Sequence, residues 1–262
     1  MTFQEFAKFH LPALELAEVR FNVQIAVISS ASKDLPAGFQ YWTLGRAGCC
    51  ATRSPGRSIL LCDLGRSECH QLVRQTKDVA YAGVLGSGDT AHWFVEEARS
   101  SGITFDGIEH QRIHTLTSPA RYPSAEGSPR TVTEADAPLL FEWMVQFHRE
   151  ATPHDAAPLI ENIEKAAASG RYLFWTVDGE PVAVAAIVRS LRTVSAIGAV
   201  FTAREKRSRG YAGSVTAALC ERIFADGKSA ACLYTNLANP FSNRCYAKIG
   251  FKSYCDSWHY LR

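Results

Sequence analysis

Arg207-Ser208-Arg209-Gly210-Tyr211-Ala212 is the stretch whose reading decides the fold. Ahead of it, Ser195-Ala196-Ile197-Gly198-Ala199-Val200-Phe201-Thr202 reads as a buried strand, and behind it Val215, Leu219 and Ile223 recur at helical spacing. This order predicts a strand feeding a basic, glycine-bearing turn into a helix start. The first turn of a helix leaves backbone N–H groups unpaired and carries partial positive charge. Gly210 and Ala212 let a ligand approach the backbone, while Arg204, Lys206, Arg207 and Arg209, opposed only by Glu205, concentrate positive charge. A pyrophosphate suits such a turn. No Gly-Lys-Ser/Thr follows it and Gly-x-Gly-x-x-Gly is absent, so nucleotide hydrolysis and hydride transfer lose ground. Taken alone, the turn is read equally well as a solvated helix cap.

A second motif changes that balance. Ala231-Cys232-Leu233-Tyr234-Thr235-Asn236 reads as another short buried strand, followed by Asn239-Pro240-Phe241-Ser242-Asn243-Arg244-Cys245-Tyr246-Ala247-Lys248-Ile249-Gly250-Phe251. Pro240 suits a first helical turn with Asn239 as its cap, and Gly250 supplies the exit before an aromatic-rich final strand.

In these two segments the chain resembles the GNAT superfamily of acetyl-coenzyme A-dependent N-acyltransferases. The turn matches Gln/Arg-x-x-Gly-x-Gly/Ala at Arg207, Gly210 and Ala212, and the later segment matches Asn-x-x-Ala/Ser-x-x-x-Tyr-x-x-x-Gly-Phe at Asn239, Ser242, Tyr246, Gly250 and Phe251. The resemblance covers about residues 130 to 262, and the stretch around Leu233 to Phe251 is similar to a bacterial two-domain subgroup. It implies a mixed α/β (α+β) fold, a central mixed sheet flanked by helices, built twice in tandem, with acetyl-CoA as co-substrate.

The resemblance also implies roles. The strand ending Val200-Phe201-Thr202 would splay from the one ending at Asn236, leaving backbone groups to bond the pantetheine arm as an added strand would. Amides of Arg207, Ser208, Arg209, Gly210, Tyr211 and Ala212 would hold the pyrophosphate, and an amide near Val200 would polarise the thioester carbonyl. Asn239, Ser242 and Asn243 would line the cofactor path, and Tyr246 would face the sulfur as the catalytic acid. The reaction implied is direct attack by a neutral amine, from a small molecule or a peptide, without a covalent enzyme intermediate.

Reference pKa values set the demands on that chemistry. A tyrosine near 10 is about 2 kcal/mol short of protonating a free thiolate near 8.5, so only partial donation in the transition state is useful. A lysine-like amine costs about 4 kcal/mol to deprotonate at neutral pH. The strand from Ser195 to Thr202 carries no glutamate to serve as base, which departs from a common family pattern. His148, Glu150, His154 and Asp155 are the candidates, each read more plainly as a surface residue. A water chain or an acceptor of low pKa removes the need.

Composition bounds the alternatives. With 262 residues, 47% of them apolar, the chain can bury one large core or two moderate ones. A net charge of +2 is too small for a protein whose affinity comes from nucleic-acid phosphates. The start Met1 to Lys8 lacks the order of a signal peptide, and the longest apolar run, Val182 to Val188, is too short for a bilayer, so a cytoplasmic protein without a membrane partner is expected. A homodimer is left open. Eight cysteines show no Cys-x-x-Cys pair and read as reduced core thiols, with a nucleophilic role for Cys232 or Cys245 lacking a paired histidine. His110 and His114 share a strand face without a further ligand at metal spacing, so no metal site is expected.

The first half reads as a helix from Phe3 to Ala17, strands at Gln40 to Leu44, Ile59 to Leu64 and Val79 to Leu85, a helix from Cys69 to Thr76 and another through about Ser100, and a strand from Ile108 to Leu116. Thr117 to Pro129 is rich in breakers. Expected boundaries are therefore 1–117, a degenerate first copy of the fold; 118–129, a linker; and 130–262, the catalytic domain. Gly86-Ser87-Gly88-Asp89 could be the remnant of a phosphate turn, but with no arginine and an acid where phosphate would go it is read more plainly as a helix cap. Two rival functions are a non-catalytic acyl-CoA sensor and a tandem aminoacyl transferase using charged tRNA, the second opposed by the near-neutral charge.

Overall fold

The computed structural model describes residues 1–119, 122–151 and 162–262. In chain order the elements are α1 (Phe3–Leu14), α2 (Asn22–Ala31), β1 (Gln40–Thr43), β2 (Cys50–Arg53), β3 (Ile59–Cys62), α3 (Arg66–Gln75), β4 (Gly83–Ser87), α4 (Thr90–Ser100), β5 (Gly107–Leu116), β6 (Ser128–Thr131), α5 (Ala137–Ala151), α6 (Ile163–Ala168), β7 (Tyr172–Val177), β8 (Glu180–Ser190), β9 (Val194–Thr202), α7 (Tyr211–Ala225), β10 (Ala230–Asn236), α8 (Pro240–Ile249) and β11 (Lys252–Leu261). They fall into two compact units. One comprises Met1–His114, Tyr234–Asn239 and Ser253–Arg262, the other Thr115–Leu233 and Pro240–Lys252. The chain thus lends the end of β10 and nearly all of β11 to the unit built from its first half.

In the first unit, a capping box at Thr2 and Glu5 starts α1, the Thr2 N–H donating to Glu5 Oε2 at 2.7 Å. The helix expected to reach Ala17 gives way after Leu14 to a 3-10 turn at Glu15–Ala17. Helix α2 is absent from the sequence reading because it shows no apolar stripe: Asn22 and Gln24 are buried with Ile25 and Ile28. Their amide groups donate inward, Asn22 Nδ2 to Val19 O at 2.7 Å and Gln24 Nε2 to Leu61 O at 3.1 Å, while Gln24 Oε1 is buried without a partner among the described residues. Strands β1, β2 and β3 run antiparallel, β3 pairs with β4 in parallel, and β11 lies antiparallel to β4 from Ser257↔Ser87 to Leu261↔Gly83. Leu61 and Val84 meet Leu72 and Phe94 of α3 and α4 in a dry core.

In the second unit, β6, β7, β8 and β9 are antiparallel neighbours and β10 joins β9 in parallel. Helices cover both faces. On one, Val215, Leu219 and Ile223 of α7 meet Leu173, Trp175, Ala183 and Ala185. On the other, Leu140, Trp143 and Met144 of α5 meet Phe174, Val184 and Phe201. Alternate residues of β7 and β8 thus face opposite cores, which is why Val182 to Val188 reads as an unbroken apolar run. Residues 122–127, from the breaker-rich stretch, lie on this unit: the Ala125 N–H donates to Ser214 Oγ at 2.8 Å, and Trp175 Nε1 donates to Glu126 O at 2.8 Å.

Candidate functional site

Strand β9 is irregular where the sequence places the site. Its pairing with β8 passes from Val184↔Phe201 to Ala186↔Gly198, leaving an extra residue in β9. Ala199 sits in that bulge at φ 51°, a left-handed conformation unusual for a residue with a Cβ. The parallel ladder to β10 runs from Val194↔Ala230 to Ile197↔Leu233 and stops, although β9 continues to Thr202. Gly198 to Thr202 therefore present backbone on that edge without a ladder partner among the described residues. Val200 packs against the α7 core and Phe201 is buried in the α5 core, so side chains anchor this stretch from both faces. Thr202 Oγ1 is buried with no hydrogen-bond partner among the described residues.

A 3-10 turn at Arg204–Lys206 follows, then Arg207 in extended conformation, Ser208 at φ 65° and Gly210 at φ 86°. Helix α7 begins at Tyr211 with no side-chain cap, its first bond running from the Ser214 N–H to Gly210 O at 3.0 Å. Among the described residues, the N–H groups of Ser208 to Gly213, which include Arg209, Tyr211 and Ala212, have no hydrogen-bond acceptor. Left-handed residues at two positions, Ser208 and Gly210, give this turn the backbone pattern from which anion-binding nests are built. The uncapped helix adds its partial positive charge.

The charge around this turn differs from expectation, since Glu205 is not its sole acid. Glu150, at the end of α5, holds Arg204 with Oε1 at 2.9 Å and Arg207 with Oε2 at 2.7 Å. Arg207 also donates from Nε to Thr202 O at 3.1 Å and stacks over Phe201 at 5.5 Å. Its guanidinium is therefore turned back on the strand, while Lys206 and Arg209 have no ion pair among the described residues. Burial opposes ionisation of Glu150, but its bonds from Arg207 and Arg204 outweigh that and hold the carboxyl below its ordinary range. A carboxylate so held is a poor base. His154 and Asp155 lie outside the described residues.

Tyr246 is 8% exposed, in the core that holds Tyr211, Leu116 and Phe251, with its ring 6.1 Å from Phe251 at 68°. Burial pushes its phenol well above the ordinary value, and Cys245 and Cys220 add to the shift. Its hydroxyl has no hydrogen-bond partner among the described residues, so it stands as a neutral donor. Ser242 and Asn243 precede it by about one turn of α8. Burial likewise pushes the Cys220 and Cys232 thiols up to about 12 and raises Cys245, which leaves no ready thiolate nucleophile among them. Asn236 and Asn239 fall in the segment Tyr234–Asn239 of the first unit, where Asn236 Oδ1 accepts the Ala238 N–H at 2.8 Å and Asn236 O accepts the Asn239 N–H at 3.0 Å.

The corresponding strand-turn-helix of the first unit is filled by protein. Arg20 Nε donates to Ser87 Oγ at 2.7 Å, and the Gly88 N–H donates to Asp256 O at 3.0 Å. The histidines His110 and His114 are engaged separately, by Asp256 at 3.0 Å and by Thr235 Oγ1 at 3.1 Å.

Comparison with known proteins bears on the fold that carries this site. Residues 176–262 match the family of FR47-like proteins. Among solved structures, a Drosophila protein superposes with a TM-score of 0.69 at 17% identity over 100% of this chain and 97% of its own. A GCN5-related N-acetyltransferase from Sphaerobacter thermophilus gives 0.62 at 16% identity, covering 89% and 84%. A tandem GNAT protein from the clavulanic acid biosynthesis pathway gives 0.56 at 12% identity, covering 89% and 86%. No curated protein sequence matches. The chain carries the GNAT fold of these structures, a mixed α/β architecture. Within it, the FR47-like match spans β8 to β11 and so includes both the turn and α8.

The sequence anticipated the conformation of the turn and the helix that carries Tyr246, but not three features around them. Glu150 reaches the turn from a distant helix, the bulge at Ala199 has no compositional mark, and Tyr122 lies against α7. Only the last had a signal, the unexplained Gly213 beside Gly210.

Proposed function

We propose that the protein transfers an acyl group, acetyl foremost, from acyl-coenzyme A to a primary amine in a ternary complex. The observation that carries this reading is the edge of β9 past Ile197, which runs through the Ala199 bulge into a turn whose amides are unspent. The donor set fits an acyl-coenzyme A: an amide nest of left-handed residues for a pyrophosphate, and an unladdered strand edge for an amide-bearing arm. Bound there, the co-substrate supplies an activated thioester carbonyl.

The chain's own groups then divide the work. Amides of Ser208 to Ala212 hold the diphosphate, and Lys206 and Arg209 add charge that Glu150 does not offset. The bulge tilts backbone near Val200 out of the ladder, where an N–H can stabilise the oxyanion that develops as the amine attacks. Tyr246, with Ser242 and Asn243 lining the same helix, donates a hydrogen bond to the departing sulfur. Its raised pKa widens the gap to a thiol, so Tyr246 polarises the leaving group and does not hand over its proton early. With Glu150 tied to two arginines, the amine loses its proton to water or enters neutral.

The test is thiol release by the full chain with a panel of amines and acetyl-, propionyl- and longer acyl-coenzyme A. Amine-dependent release supports the reading. Acyl-coenzyme A binding without release to any amine replaces it with a sensor, and tRNA affinity without coenzyme A affinity replaces it with an aminoacyl-tRNA transferase.

A further inference from the structure

Tyr122 occupies a place that no motif explains. Its ring lies against the first turn of α7 so closely that a Cβ at Gly213 would fall 2.4 Å from both Cζ and Oη. A Cβ at Gly210 would lie 3.6 Å from the same hydroxyl and 3.6 Å from Ala125 Cβ. Residue 213 is therefore glycine because an aromatic ring from outside the helix claims its side-chain volume. The ring belongs to the segment that Ala125 pins to Ser214 and that Trp175 pins through Glu126. Tyr122 packs against the same core as Cys245 of α8; burial raises its phenol, and Cys245 adds to that shift. The hydroxyl thus stays protonated near neutral pH. Among the described residues it has no hydrogen-bond partner, and it stands beside amides of the turn that also have none.

We propose that Tyr122 is a positioning residue for the co-substrate, its hydroxyl donating to the same phosphate oxygens that the Ser208–Gly213 amides receive. This rests on the acyl-coenzyme A reading above. Three observations converge on it. The hydroxyl is a donor, which suits an acceptor-only phosphate. It is held by a ring seated on backbone, so little freedom is lost when the ligand arrives. Arg207, the motif's own cation, is meanwhile turned away to Glu150 and Thr202, which leaves the turn short of a side-chain donor. The turn has in effect exchanged a flexible cation for a fixed phenol, and Gly213 is the sequence mark of that exchange.

The experiment compares wild type with Tyr122→Phe in the full chain, by calorimetry with coenzyme A and by steady-state kinetics. The Phe variant keeps the ring and its packing, and deletes only the donor. Expected is about a tenfold weaker coenzyme A affinity and a matching rise in KM for acetyl-coenzyme A, with kcat unchanged. S-acetylpantetheine, which lacks the diphosphate, should serve wild type and variant equally. Tyr122→Ala should weaken coenzyme A binding at least as much, and Gly213→Ala, which displaces the ring, should mimic it. An affinity within twofold of wild type for Tyr122→Phe overturns the proposal. So does a tighter affinity for Tyr122→Ala, which would make the ring an obstruction. If wild type itself binds no coenzyme A, the acyl-coenzyme A reading has failed first, a result distinct from either.

Discussion

Glu150 and Arg207 form an ion pair of 2.7 Å, and the second oxygen of the same carboxylate takes Arg204 at 2.9 Å. The three side chains are 31%, 42% and 72% exposed, so solvent screens both contacts and their share of stability is at most about 1 kcal/mol. Their larger effect is on the turn, where a carboxylate subtracts from the charge offered to a diphosphate. Glu150→Gln should therefore leave the midpoint of unfolding nearly unchanged and tighten coenzyme A binding about threefold at low salt, the gain fading at high ionic strength. Calorimetry at two salt concentrations checks this. Weaker binding at both would show that the pair shapes the turn. Because the folded carboxyl titrates below its unfolded value, the pair's contribution is present above about pH 4 and is lost as pH falls through the lowered value.

Tyr246→Phe removes one hydroxyl from a packed core and should spare affinity for coenzyme A to within twofold. Turnover should fall tenfold or more, within the range for acid catalysis. Since burial holds the phenol in its neutral form above its ordinary pKa, Tyr246 should produce no falling limb in the kcat profile below pH 10. A limb near pH 9 that vanishes in the Phe variant would show that the phenol titrates within the working range.

Local regularities made the fold legible. The turn Arg207 to Ala212, the apolar α7 stripe and the Pro240 to Gly250 helix each state their conformation in a few consecutive residues, and the structure has them there. Helix α2 was not legible because its buried Asn22 and Gln24 break the apolar period, and the acceptors of their amide groups are set only by the folded chain. The site divides in the same way. Tyr246 is marked by motif, whereas Glu150 meets Arg204 and Arg207 across 54 and 57 residues. No spacing rule connects them. Residues 122–127 look like a linker by composition, yet their backbone and aromatic groups are spent on α7 and β7, information that resides in the partners.

Arg130 of β6 and Asp136, just before α5, brace one corner of the second unit. Arg130 Nη1 and Nη2 each donate to an Asp136 oxygen at 2.8 Å, and the Thr133 N–H and Oγ1 donate to Oδ2, each at 2.8 Å. These bonds, the Arg130 ones foremost, hold the Asp136 carboxyl far below the ordinary range against its burial. Asp136→Asn should cost about 1–2 kcal/mol at neutral pH, allowing for the partly exposed guanidinium. The sign follows from the depressed value: the stabilisation is complete above the unfolded pKa near 4 and fades as pH falls through the folded one. Denaturant melts of both proteins at pH 7 and pH 3 should show the gap narrowing on acidification, and a constant gap would contradict the assignment.

The bulge at Ala199 carries the last prediction, because it ties backbone strain to binding. At φ 51° a methyl group costs about 1 kcal/mol, which glycine would relieve while adding unfolded-state freedom of similar size. Ala199→Gly should therefore leave stability within about 1 kcal/mol of wild type and keep the site. A β-branched side chain is far less tolerant of a left-handed backbone. Ala199→Val should lose about 2 kcal/mol or flatten the bulge, and in either case weaken acyl-coenzyme A binding more than tenfold by returning the β9 edge to a regular strand. Denaturant melts paired with calorimetry distinguish the two substitutions. Wild-type stability and affinity in the valine variant would mean that β9 offers its edge to the co-substrate without the bulge.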